Sequence, residues 1–492
     1  MEKAPLEILP ISLEKLPELS MLVATALENH PPPFPREDPM KLFRSLSFAA
    51  ATLVAGTLTA QGASYLEIPG GWDGADITPD GKVVAGFGPF GGVFYWRWQE
   101  EPAPTFIGGN SVGAISDDGK VIVGDIAHPV TGEQTAAIWT EATGWQPLGG
   151  LPSGACGSLS NAYDISADGT AVVGLAWNGC SGQGFYWTQA GGMQGLEFLA
   201  NGNNRASVIA GNKSIIGGFA QGDFSRTPAT WQPNLDGQTY DTSALGEIHG
   251  VNAKGTVLFG EWNGSAFFSE NGALTPLGTL QPLFTGIATS ASENLSRVVG
   301  FDIQITTRVA WTWTPSGGME SLHTTLTDLG VQGLPASLEV CRKSSADGTV
   351  ILGNNFLKAW IVTLPPVAGW NQYGTGAADA NNLDLDGSGD ATVGGTFMAT
   401  TTGAVGSATA TLISLDSGNL PLFGGRLLLD ALKIINPVLV EATTGGSSTN
   451  VIPIPNDPAL AGISVFFQSL AEDGGQPLGF GLSNGLQLHI GL

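Results

Sequence analysis

Residues 75–87 read ADITPDGKVVAGF, and the phrase returns at 113–125 as GAISDDGKVIVGD, at 162–175 as AYDISADGTAVVGL and at 341–354 as CRKSSADGTVILGN. Weaker copies stand between them: SVIAGNKSIIGGF (207–219), GVNAKGTVLFGE (250–261) and TSASENLSRVVGF (289–301). Each closes on a glycine: Gly86, Gly124, Gly174, Gly217, Gly260, Gly300 and Gly353. The unit therefore recurs every ~44 residues, the sign of a repeat-built fold. In each copy a short apolar run meets Asp-Gly, Lys-Gly or Gly-Asn, and an alternating Val/Ile run follows. Gly and Asn tolerate the positive φ of a tight hairpin, so each copy predicts two antiparallel strands joined by a two-residue primed turn. Glu293-Asn294 fits this pattern least well.

An aromatic strand follows every hairpin: VFYW ending at Trp96, AAIW at Trp139, GFYW at Trp187, PATW at Trp231, AFFS at Ser269, AWTW at Trp313 and AWIV at Val362. Most units then add a fourth segment, such as WQPLGGL (145–151) or LTPLGTL (274–280). Four short strands per unit at this period predict a β-propeller blade. The seventh unit lacks its fourth segment, and an unmatched stretch, SYLEIPGG (64–71), precedes the first. Pairing the two closes a seven-bladed ring and removes the open sheet edge. Rows of Trp can stack on sugars, but an aromatic demanded in every unit reads first as packing between neighbouring blades.

The units resemble the HAF-repeat family of bacterial extracellular proteins, from about Ala75 to Leu364. The family's histidine before Ala-Phe is missing throughout; Gly92, Thr135, Gln183, Thr227, Ser265, Val309 and Lys358 stand there instead. The resemblance implies a propeller-like fold outside the cytoplasm and carries no catalytic residue with it.

Composition agrees with an all-β chain: 71 of 492 residues are glycine, 42% are hydrophobic and only 13% are charged. The net charge of −24, with 19 basic residues spread thinly, argues against binding nucleic acid or an anionic membrane. From Met40 the sequence MKLFRSLSFAAATLVAGTLTAQGA has the basic, apolar and small-residue regions of a secretory signal ending near Ala63. Residues 1–39, with HPPPFPREDP at 30–39, read as a misassigned or disordered extension before a true start at Met40. The five basic and seven acidic residues before Ser64 nearly cancel, so the acidity belongs to the exported part. No later run is apolar enough to span a bilayer, so a secreted or cell-surface protein, monomeric and without integral membrane association, is expected.

Three cysteines remain for the exterior. Cys156 enters the third blade and Cys180 lies between its second and third strands. Both connections emerge on one face, so a disulfide between them is expected. Cys341 reads as a small buried hydrophobe in a strand.

Beyond Pro365 the composition shifts to Thr, Ser, Gly and Leu, with strand-like runs TATLISL (409–415), RLLLDALKI (426–434) and LQLHIGL (486–492). Residues 365–492 are thus expected to form a small β-sandwich after the propeller of residues 64–364. The WNQYGTG opening (370–376) and IPIPNDPALAGISVFFQSL (452–470) resemble a C-terminal module that recurs on secreted bacterial proteins. NLDLDGSGD offers Asn382, Asp384, Asp386 and Asp390 at positions 1, 3, 5 and 9 of a calcium loop. Val393 takes the position where such a loop needs a carboxylate, so a polar hairpin tip is the competing reading.

No catalytic constellation emerges. The histidines, His30, His128, His249, His323 and His489, lack metal-ligand spacing, and no nucleophile elbow or phosphate-binding loop is present. Asp117, Asp125 and Glu261 could serve glycoside chemistry, but spacing singles out no pair. The leading expectation is a non-catalytic binding or structural propeller, with an extracellular glycan or protein as partner and no cofactor apart from calcium. A polysaccharide-active hydrolase or lyase, and a calcium-dependent adhesive scaffold, stand as alternatives.

Overall fold

The computed structural model describes residues 62–491, apart from 90–91, 152–158, 179, 200–201, 222–225, 240–243, 271, 316, 375–382, 405–407, 423–424, 431–432, 458–459, 461 and 473–479. The secretory segment up to position 61, Cys156 and Asn382 lie outside the described residues.

Seven four-stranded antiparallel sheets follow one another along the chain. The first blade comprises Asp73–Ile77, Val83–Gly88, Gly92–Arg97 and Thr105–Gly108, in that order from the inside outward. The seventh is built from Val340–Ser344, Val350–Asn355 and Lys358–Thr363, and Ser64–Glu67 supplies its outermost strand. The N-terminal stretch thus closes the ring, as the unmatched SYLE segment predicts.

Every inner pair of strands carries a bulge at the same place, before Asp76, Ala114, Asp164, Val208, Gly250, Ser290 and Lys343. The bulge explains the closing glycine. A Cβ on Gly124, Gly174 or Gly260 would sit 2.0, 2.0 or 2.1 Å from the carbonyl oxygen of the inner strand opposite, which no side chain tolerates. This register corrects one position. In the fourth blade Gly218, not Gly217, faces that carbonyl, at 2.0 Å, whereas a Cβ on Gly217 would meet the side chain of Ile248.

The inner turns also differ from the expected two-residue hairpins. In the first blade Gly81 N–H donates to Thr78 O, Thr78 N–H donates to Val83 O, and the Thr78 hydroxyl accepts from Val83 N–H. Four residues therefore lie between the bonded pair, with positive φ at Gly81. The side chain of Thr78, Ser116, Ser166, Asn252, Ser292 or Ser345 closes the loop in six of the blades. Where the positive-φ position is not glycine, Lys213 and Leu295 take it. A Ser/Thr/Asn oxygen replacing the last ladder bond makes the longer loop affordable, which is why the dipeptide alone misreads it.

The apolar core is divided among the gaps between blades. Phe94 and Trp96 of the first blade pack with Leu352 and Ile361 of the seventh; Ala85 and Tyr95 pack with Ile122 and Trp139 of the second. Val299 and Ala310 of the sixth pack with Cys341, Ile351 and Trp360 of the seventh. Trp231, Trp311 and Trp360 are wholly buried, so the aromatic strand serves packing, as expected. Cys341 is a buried free thiol, and Cys180 is disulfide-bonded. One short helix, Leu322–Asp328, capped by Ser321, covers the seam between the sixth and seventh blades.

The C-terminal region is a β-sandwich. A five-stranded sheet runs Gly369–Tyr373, Phe480–His489, Ser464–Glu472, Ala408–Ser414, Ile434–Ala442. A three-stranded sheet of Asp384–Gly389, Thr396–Thr402 and Ser448–Pro453 faces it, with Leu385, Phe397, Phe467, Leu486 and Leu488 between the two. The sandwich sits on the inner turns of the propeller. Its contacts reach five of the seven: Lys82 to Asp416, Asp118 to Arg426, Lys254 to Asp384, Asn294 to the Trp370 carbonyl, and Asp347 to Gln487. Ala346 adds an apolar contact with Tyr373, Leu428 and Phe466. One end of the central channel is thus capped by the sandwich.

Candidate functional site

Inner strands run from the other, uncapped mouth toward the turns, so equivalent positions form rings around the channel. One ring near the mouth holds Asp73, Ser111, Asn161, Arg205, Glu247, Ile287 and Val340. The bulge residues form the next: Ala75, Gly113, Tyr163, Ser207, His249, Thr289 and Arg342. A bulge turns its residue out of the ladder, so this ring is free to vary in size and charge without disturbing the blade.

The fourth and fifth blades build a compact cluster from these two rings. The Glu247 carboxylate is almost wholly buried, with 5% of its side chain exposed. Its Oε1 accepts from the Ser207 hydroxyl at 2.7 Å and from the Arg205 guanidinium. Its Oε2 lies 3.6 Å from Nη1 of Arg226, and His249 Nδ1 is 4.0 Å from Oε1. Phe219 is flanked by both arginines, with their guanidinium carbons 5.0 and 4.3 Å from its ring centroid, and Arg205 also lies 5.2 Å from the Tyr163 centroid. On the seventh blade Arg342 pairs with Asp73 at 3.2 Å and donates to Asn354 at 3.0 Å. Trp72, next to Asp73, is partly exposed at the same mouth.

The electrostatics follow from this packing. Burial pushes Glu247 up, but His249, the arginine and the Ser207 hydroxyl outweigh it and hold the carboxyl below the ordinary glutamate range. Burial drives His249 down, reinforced by Arg205, Arg226 and Arg342 and opposed by Glu247, so the imidazole is mainly neutral at neutral pH. Glu261, beside Glu247 on the second strand, is pushed up by burial and by that neighbour.

Farther in, Asp76 and Asp164 each bridge to the inner strand of the following blade, accepting from Ile115 N–H at 2.9 Å and Ile209 N–H at 2.8 Å. Burial lifts both, Asp164 to about 6, while Lys343 opposes the rise. At the capped end burial lifts Asp117 and Glu293 each to about 7, and Glu293 adds to the rise of Asp117. The seam between this end and the sandwich encloses a polar space of ≈ 270 Å³ lined by Lys82, Asp347, Tyr373, Asp416 and Gln487.

The residues singled out by sequence are scattered by the fold. Asp117 stands at the capped end, whereas Asp125 and Glu261 stand near the open mouth on different blades. Asp125 is occupied by Ser111, Gln134 and Asn161. Asp384 and Asp386 lie along an extended strand; Asp384 is held by Lys254 at 2.8 Å, and Asp390 caps Thr392. Among the described residues no group of three or more His, Cys, Asp or Glu side chains is placed to hold a metal. His128 accepts from loop amides, His323 lies on the helix and His489 is buried in the sandwich. Among the described histidines only His249 enters the cluster; His30 lies outside the described residues. Sequence reasoning missed Arg205, Glu247, Arg226 and Arg342. The available signal for Arg205, Glu247 and Arg342 was departure from the repeat: two fixed positions on the inner strand hold uncharged residues in most copies and charged ones in the first, fourth, fifth and seventh; Arg226, on the third strand, had no such signal.

No family model matches the chain, and no curated protein matches it. Among solved structures, oligogalacturonate lyase from Vibrio parahaemolyticus is similar with a TM-score of 0.40 and 13% identity, over 60-odd per cent of this chain (61%) and 91% of that one. TolB from Acinetobacter baumannii is similar with a TM-score of 0.34 and 11% identity, over 50% of this chain and 61% of that one. These are likenesses of fold. None of the described helices is long and apolar enough to cross a membrane.

Proposed function

We propose that the chain is an extracytoplasmic, non-catalytic binding propeller that takes its ligand at the open mouth of the channel. The observation that carries this reading is the asymmetry of the channel. The sandwich occupies one mouth through five turns, while the other gathers Arg205, Arg226, Glu247, Glu261, His249 and the Arg342–Asp73 pair, with Trp72 partly exposed at the entry to the first blade. Elsewhere in the rings most positions are small or neutral, so the charge is local. Arginine and aromatic groups that converge on a concave mouth are the groups that carry recognition. The secretory pattern at Met40–Ala63 supplies the location, and amino-terminal sequencing of protein exported by a bacterial host tests it; a product retaining residues 40–63 overturns it.

Binding is tested by screening the purified chain against a glycan array, then repeating the positive spots with Trp72→Ala and Arg342→Gln. Loss of binding in both supports the mouth as the site; full retention in both removes it.

One observation favours a second reading, a polysaccharide hydrolase or lyase. His249 is mainly neutral, close to a carboxylate and three arginines, as a general base would need to be. Incubation of acidic and neutral polysaccharides with wild type and His249→Ala decides it: chain cleavage that the variant lacks would make the protein an enzyme.

A further inference from the structure

The charges at the mouth are matched within the protein. Arg205 and Arg226 face Glu247, and Glu261, cross-strand from Glu247, also acts on Arg226. Arg342 pairs with Asp73 through two contacts at 3.3 and 3.2 Å. One step deeper, at the position after the bulge, Asp76, Asp164 and Lys343 come from the first, third and seventh blades. Burial pulls the Lys343 ammonium down, but Asp76 and Asp164 outweigh burial and hold it above the ordinary lysine value, so it is charged. Neither acid bonds to it. Each carboxylate is turned onto two backbone N–H groups, those of Ile77 and Ile115 for Asp76 and of Ile165 and Ile209 for Asp164. Among the described residues, which include all seven inner strands, Lys343 has no hydrogen bond and no ion pair. Its charge is answered through space, while the three N–H groups of a lysine ammonium meet no protein acceptor there.

We infer that the mouth takes a neutral, hydroxyl-rich ligand, the end of an uncharged saccharide, whose innermost hydroxyl oxygen accepts from Lys343. This rests on the mouth being the binding site. A ligand of either charge would meet a like charge in each of these pairs and would have to break a pairing already made. A hydroxyl breaks none, because it accepts from the cation and donates to the acid of the same pair. An acceptor without charge is also what Lys343 lacks. Tyr163 and His249 stand in the bulge ring between the mouth and Lys343. They add an aromatic body and a mainly neutral imidazole that both donates and accepts, two further groups suited to a sugar.

Screening wild type, Lys343→Met and Lys343→Arg on an array of neutral, acidic and basic glycans tests the inference. The two aspartates keep their backbone donors in both variants, and melting curves check the fold. Wild type is expected to bind neutral glycans. Titration of the strongest in solution should show at least about tenfold weaker binding in Lys343→Met and a smaller loss in Lys343→Arg. A second readout needs no variant: acetylation of Lys343 in the wild-type chain by acetic anhydride, followed by mass spectrometry, should slow when that glycan is bound. Neutral binding that leaves the labelling and Lys343→Met unchanged, but is lost in Trp72→Ala and Arg342→Gln, overturns the Lys343 contact and keeps the mouth as the site. Preference for acidic or basic glycans overturns the neutral ligand. Binding that no mouth variant alters overturns both readings, and an array on which nothing binds overturns the saccharide.

Discussion

The two ends of the channel are made from the same seven strands and are built to opposite rules. At the capped end the turns repeat one design, and backbone bonds pass from turn to turn: Asp117 N–H to Ala167 O, Ala167 N–H to Gly211 O, Asn212 N–H to Ala253 O, Glu293 N–H to Ala346 O, and Ala346 N–H to Pro79 O. Such bonds depend on backbone geometry, so side chains there are constrained to small or turn-forming types. At the open end the bulge frees the side chain, and residues range from Gly113 to Arg342. The lesson is that repetition marks scaffold, whereas departure from the repeat at a fixed position marks the surface available for recognition.

The largest expected effect tests the scaffold half of that contrast. Gly218→Ala sets a Cβ about 2.0 Å from a backbone carbonyl, and backbone cannot step aside. A loss of about 3 kcal/mol or more is expected in chemical denaturation. Gly217→Ala meets Ile248 Cγ2 at 2.6 Å, a methyl that can move, and is expected to lose about 1–2 kcal/mol. Equal losses at the two positions would break the assignment of the bulge as the reason for the glycine.

Most of this scaffold was legible in the sequence. The period, the aromatic strand and the orphan Ser64–Gly71 segment sufficed for seven blades and for closure, because each reflects a demand met in every unit. The turn was misread because a Thr78 or Ser116 hydroxyl substitutes for a ladder bond, which a dipeptide does not reveal. The pattern alone points to Gly217 because two glycines stand together there and only the register separates them. The site was not legible. Arg205, Glu247 and Arg342 belong to three blades, and nothing in linear spacing says that strands a full unit apart present the residues near their starts to one opening.

One buried pair at the capped end and one carboxyl at the open end are also expected to answer pH with opposite sign. Asp117 and Glu293 rise from ordinary values near 4 to about 7 on folding. The folded state therefore keeps protons that the unfolded chain releases, and stability falls as pH climbs from about 4 to 7, then levels off. Allowing for partial solvent access, Asp117→Asn with Glu293→Gln should remove about 2 kcal/mol of that slope. Glu247 behaves in reverse. Its folded value lies below the ordinary one, so its contribution is present above about pH 4.5 and is lost as pH falls through the depressed value. Glu247→Gln is expected to cost about 1 kcal/mol at neutral pH and to flatten the acid limb. Denaturation series at fixed ionic strength between pH 3 and 8 separate the two, and slopes of the same sign would remove the electrostatic part of the contrast.

The smallest effect concerns how the cap is held. Lys254 meets both oxygens of Asp384 at 2.8 and 3.0 Å, yet each side chain is more than a third exposed. Water and salt screen such a pair, and ordering two flexible side chains offsets part of its attraction, so Lys254→Ala should cost no more than about 0.5 kcal/mol. The cap should stay in place, because Arg426 still reaches Asp118 and Ala346 still packs on Tyr373 and Phe466. Replacing Ala346 by Asp instead places a charge in that apolar contact, and burial of an unpaired charge costs far more than loss of an exposed pair. Limited proteolysis between residues 364 and 369 reads the difference. Cleavage should be unchanged in Lys254→Ala and accelerated in Ala346→Asp. The reverse order would mean that charge at the turns, rather than their shared shape, holds the sandwich over the channel.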